Sequence, residues 1–183
     1  MSDPADLQRL IGDICRLGTV ASIDLAAGTC CVKIGDILTN DLPWAAARAG
    51  AIRAWLPPSV GEQVIVFSPE GDTEAGIVLG GIFSDARPAP ASEAIALLLF
   101  DDGASISYDP AGHRLDVTLP AGATATIAAP GGITLDGPVH ITGALTTDDK
   151  ATFAGDVKGA GISLKDHVHG QVQAGSAKSG KPE

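Results

Sequence analysis

Residues 94–169 limit most strongly what this chain can fold into. Short segments of alternating apolar and polar residues run through 94–100, 104–108, 114–119, 123–128, 133–135, 139–143, 151–153 and 162–164. Between most of them stand Asp-Asp-Gly, Asp-Pro-Ala-Gly, Pro-Ala-Gly, Pro-Gly-Gly and Asp-Gly-Pro turns. Leu115, Val117 and Leu119, then Ile133 and Leu135, then Val139 and Ile141 keep the period of two that belongs to strands with one buried face. The regular spacing predicts a ladder of short strands that repeats in shape rather than in wording. Its only aromatics are Phe100, Tyr108 and Phe153. Side chains this small do not close a globular core alone; they suit a narrow core filled from several chains.

The ladder runs into Lys165-Asp166-His167-Val168-His169-Gly170. Along an extended strand, His167 and His169 point to one face and Asp166 and Val168 to the other. Two imidazoles are half a metal site, and structural zinc asks for four ligands. A symmetry axis beside the pair would gather six imidazole nitrogens from three chains. The alternative is a solvent-exposed histidine pair near a loose end.

Composition sets outer bounds. The chain has 183 residues and a formal charge of −10, and no basic patch suited to phosphate is visible, so nucleic acid is not an expected partner. No run of 18 apolar residues suggests a membrane span, and Met1-Ser2-Asp3-Pro4 does not open a signal peptide. Cys15, Cys30 and Cys31 make neither a CxxC nor an even framework and read as reduced thiols of a protein made in the cytoplasm. In a strand the vicinal pair would face opposite ways, one of them inward.

Leu7, Leu10, Ile11, Ile14 and Leu17 keep helical spacing, with Asp3-Pro4 as cap and first residue, so residues 1–17 are assigned to an N-terminal helix. Residues 18–84 then read as a compact all-β unit. Strands are expected at 18–24, 29–34, from 42, 63–67 and 76–83, with a loop Trp55-Leu56-Pro57-Pro58-Ser59-Val60-Gly61-Glu62 before the fourth. About five strands in such a length suit a small oligonucleotide/oligosaccharide-binding (OB) barrel. Residues 85–93 read as a linker, 94–164 as a shaft, and 165–183 as an apex and polar tail.

Those elements carry a resemblance. Gly18-Thr-Val-x-x-Ile-Asp, Cys31-Val-Lys-Ile, Leu42-Pro-Trp44, Arg48-Ala-Gly50, Trp55-x-Pro-Pro-x-Val-Gly-Glu-Gln-Val64, Pro69-x-Gly-Asp72 and Gly76-Ile-Val-Leu-Gly80 precede the ladder and its His-Val-His. Nearly the whole chain resembles the baseplate assembly protein V family. These are the central tail spikes of contractile-tailed phages and phage-tail-like bacteriocins, related to type VI secretion spikes. The resemblance implies an all-β homotrimer: OB barrels, then an intertwined three-chain β-helix, then a pointed apex. It implies one iron ion (Fe2+) per trimer, held by six histidines, here His167 and His169 of each chain. It also implies docking on the baseplate hub and tail tube, a place in the virion tail, and the bacterial outer membrane as target. Residues 84–90 lead straight into the ladder, leaving no room for the lysozyme domain that some related spikes insert.

Physical chemistry is consistent with such a job. Strands paired between three chains leave few open edges, and about seven layers at roughly 4.7 Å each make a shaft on the order of 33 Å long. Six neutral nitrogens favour an octahedral first-row ion over tetrahedral zinc, and a filled coordination sphere is structural rather than catalytic. Two other classes stay open. A non-haem iron enzyme would combine His167 and His169 with Asp149 or Asp156, leaving open positions on the metal. A small carbohydrate-binding module would rest on Trp44 and Trp55. His113, in a turn, and His140, on an expected strand, read as structural or exposed, and no nucleophile elbow or phosphate loop is visible.

Overall fold

The computed structural model describes residues 4–168 and residue 175. The chain divides into two units, Met1–Ala125 and Thr126–Glu183. The division falls later than the 85–93 segment, because the first strands of the expected shaft belong to the same unit as the barrel.

Helix α1 spans Pro4–Asp13, with proline at its first position, where the missing N–H costs nothing. It ends four residues short of the expected Leu17. Residues from Cys15 onward are taken by strand β1 (Cys15–Asp24), whose first half pairs with β5 (Gln63–Phe67) from Cys15↔Phe67 to Thr19↔Gln63. Asp13 at the helix end opposes the helix dipole, and Arg9 at 3.6 Å and Arg16 at 3.0 Å offset its charge. The Ser68 amide donates to the Ile14 carbonyl at 2.8 Å and fastens the junction between α1 and β1 to the end of β5.

The second half of β1 pairs with β2 (Thr29–Ile34) across a bulge between Val20 and Ser22. That bulge bends the strand so that one element serves two neighbours. Beyond β2 lie β3 (Ile37–Leu38) and β4 (Leu42–Pro43), both too short to be seen in a period of two. Thr39 fills the gap between them: its Oγ accepts from the Val32 amide at 2.9 Å, and its own amide donates to the Val32 carbonyl. On the other flank, β5 pairs with β6 (Ile77–Ile82). Trp44 then bridges Val78 in parallel, and the Ala45 amide donates to the Val78 carbonyl at 2.8 Å, which joins the two ends of the sheet into a barrel. The core is Val20, Cys30, Val32, Ile34, Leu42, Val64, Val66 and Val78, the inward half of each alternation. Cys30 faces in and Cys31 out, as the vicinal pair required.

After residues 85–93, β7 (Ala96–Leu99), β8 (Ser105–Asp109) and β9 (Arg114–Thr118) make a three-stranded antiparallel meander. Its first turn is Asp101-Asp102-Gly103: Gly103 has φ 87°, a region closed to most side chains, and Asp102 accepts from the Ala104 amide. Register puts Leu98, Ile106 and Val117 in one row and Ala96, Tyr108 and Leu115 in the next, all on one face. The other face carries Ser105, Ser107, Asp116 and Thr118 beside Leu97 and Leu99.

In the second unit, the segments expected at 133–135, 139–143 and 151–153 carry no paired strand, and residues 126–156 are exposed throughout. Among the described residues there, only β10 (Lys158–Gly159) and β11 (Ile162–Ser163) pair, as a small hairpin. Among the described residues no helix is long and apolar enough to cross a membrane.

Candidate metal centre

The residues leading to His167 are closely tied to one another by hydrogen bonds. Ala160 (φ 49°) and Gly161 (φ 86°) form the two-residue turn of the β10–β11 hairpin, with both central residues in the positive region that suits the twist of paired strands. The Leu164 amide donates to the Val157 carbonyl at 2.8 Å. Around that turn a side-chain network closes: Ser163 Oγ donates to Asp156 Oδ1 at 2.9 Å, and the Lys165 amide donates to the same oxygen at 3.2 Å. The Asp166 amide in turn donates to Ser163 Oγ at 2.8 Å.

His167 stands at the end of this network. Its Nδ1 lies 2.9 Å from the Ser163 carbonyl oxygen and 3.2 Å from that of Leu164. Carbonyl oxygens only accept, so Nδ1 must carry the proton, and a neutral ring then has its lone pair on Nε2. Histidines that bind metals commonly have this arrangement, one nitrogen donating to a carbonyl and the other facing the ion. The donor chemistry of His167 therefore fits a metal ligand.

The strand expected to run through the histidine pair does not reach it. The last strand is Ile162–Ser163, residues 164–166 turn, and His167 is positioned by that turn. Side-chain bonds from Ser163 and Asp156 replace the ladder at this point. His169 lies outside the described residues. Among the described residues, no three His, Cys, Asp or Glu side chains come together closely enough to hold a metal.

Other candidates fall elsewhere. His113 occupies a turn with φ 50°, and His140 and Asp149 are exposed. Asp156 is engaged by Ser163 and Lys165. Trp44 packs against the barrel core, and its ring centroid lies 5.4 Å from that of Trp55 at 54°. The two indoles form a tilted pair instead of a flat platform for sugar rings. Ser163 and Asp156 as a pair supporting His167 were missed in the sequence. Their signal was small polar side chains flanking an Ala-Gly turn, where local side-chain bonds compete with the ladder.

A closed barrel of the OB type, followed along the chain by a meander with an exposed apolar face, defines a strand-rich protein of the OB class. Residues 16–83 match the type VI secretion system/phage-baseplate injector OB domain, and residues 161–183 match the GpV Apex motif. The chain is 39% identical over 142 residues to the spike protein of Escherichia phage P2, a match covering 77% of this chain and 66% of that protein. The chain belongs to the phage baseplate spike family.

Proposed function

We propose that three copies of this chain form the central spike of a phage tail baseplate, or of a phage-tail-like particle, and perforate the outer membrane of a bacterium when the tail contracts. The observation that carries this reading is the apolar face of the β7–β9 meander. Ile106 and Val117 are 42% and 59% exposed in the single chain, and Leu98 and Leu115 beside them are likewise exposed. Covering each such side chain contributes on the order of 1 kcal/mol. Ile133, Leu135, Val139 and Ile141 continue the alternation and are exposed too. Strands from two further copies supply both the missing apolar cover and the missing hydrogen-bond partners.

The barrels make the wide base that docks on the tail hub and tube. His167 and His169 of each chain hold one iron at the apex, where six neutral nitrogens favour an octahedral ion. When bound, the metal supplies a cross-link among three chain ends that would otherwise fray. The protein's own part is mechanical: laddered strands resist compression, and no reaction is catalysed. The test uses particles carrying His167→Ala with His169→Ala. Adsorption and contraction stay normal while permeabilisation of the outer membrane, read by a periplasmic reporter enzyme, falls. Unchanged permeabilisation counts against a piercing role for the tip.

A further inference from the structure

We infer that Ser163 and Asp156 are positioning residues for the metal ligand His167, an inference that rests on the metal reading above. Three links connect them. Asp156 Oδ1 accepts from Ser163 Oγ (2.9 Å) and from the Lys165 amide (3.2 Å), which ties the residue before the hairpin to the residue after it. Ser163 Oγ accepts from the Asp166 amide (2.8 Å), which fixes the backbone next to His167. The Ser163 and Leu164 carbonyls, held by that same closed turn, take the Nδ1 proton of His167.

The arrangement does two things. It sets the tautomer with the lone pair on Nε2 before any metal arrives, and it fixes the direction of the ring. The role of Asp156 needs only one acceptor oxygen, and that of Ser163 only a hydroxyl. Asp156→Asn and Ser163→Thr should therefore keep the network, whereas Asp156→Ala and Ser163→Ala remove it. Groups that orient a metal-bound histidine from behind typically change metal affinity by about 10–100-fold.

The experiment measures iron affinity of the purified full chain by competition with a chelator, for wild type and all four variants. It adds long-range 1H–15N spectra of histidine-labelled, metal-free protein to read the His167 tautomer. Ser163→Ala and Asp156→Ala should each lose about 10–100-fold in affinity, and the His167 signals should move toward a mixture of tautomers. Ser163→Thr and Asp156→Asn should stay near wild type in both measurements. Oligomeric mass and thermal midpoint should not change in any variant. Wild-type affinity and tautomer in both alanine variants would overturn the inference and leave the metal reading standing. Equal loss in Asp156→Asn and Asp156→Ala would also overturn it, since charge and not the bond would then matter. A wild-type protein that takes up no iron refutes the metal reading, and with it the ligand role that positioning serves.

Discussion

Ile106 on β8 lies directly across from Val117 on β9, in the middle of a sheet face whose neighbouring rows are also apolar, and both side chains are exposed in the single chain. A pair like this normally marks the inside of a structure. Ile106→Asp places a carboxylate in that face, and burying an unpaired charge costs several kcal/mol. Light scattering should then show that the variant no longer assembles. Ser107→Lys, one residue along and directly across from Asp116 on the polar face, should assemble normally.

His167→Ala should give an assembled protein without iron and with an unchanged melting temperature of the body. The barrel core and the meander contain no part of the tip, and removing three of the six proposed histidine ligands, one from each chain, leaves them intact. Elemental analysis beside calorimetry checks both halves. A full iron complement would return the histidine pair to an exposed surface feature.

The barrel was legible because its alternation is strict. Val64 and Val66 mark β5 within its observed bounds, and Cys30, Val32 and Ile34 mark the inward side of β2. The end of α1 was not legible, since Ile14 and Leu17 continue helical spacing by coincidence while Cys15–Thr19 are claimed by β5 from a distance. Ile37–Leu38 was invisible because two exposed residues carry no period. Alternation at 133–141 tells which side chains share a face, not which strand lies alongside. Of the tip, the sequence offered His167 and His169 as candidate ligands; Ser163 and Asp156 behind His167 came only from hydrogen-bond geometry.

Gly71 has φ 76°, and a Cβ there would stand 2.5 Å from the Leu10 carbonyl oxygen of α1. Gly71→Ala should therefore lift the helix from the barrel, at a cost of about 1–2 kcal/mol from backbone strain alone. Faster amide exchange in residues 4–13, with exchange in β1 and β5 unchanged, is the expected outcome. Deleting residues 1–13, which spares β1, should leave assembly and iron binding intact but impair incorporation into particles. Normal incorporation would contradict the assignment of this end to the hub.

Burial pushes the Cys30 thiol above its ordinary value, with Cys31, Glu62 and Asp41 nearby adding to the effect. A raised thiol pKa means the folded state keeps a proton that the unfolded chain gives up. Stability from this source is complete below the unfolded thiol's range, about pH 8.5, and declines as pH rises beyond it. Denaturant unfolding between pH 7 and 10 should show this alkaline loss, and Cys30→Ala should flatten it. An equal slope in both proteins would assign the loss to other groups.

The central claim is that three chains share one tip. Native mass spectrometry of the purified full chain, with metal analysis of the same sample, tests it most directly. Three chains of 18.4 kDa should travel together at about 55 kDa, with one iron per assembly. A monomer of 18.4 kDa at micromolar concentration, or iron in a ratio of one per chain, would contradict the account.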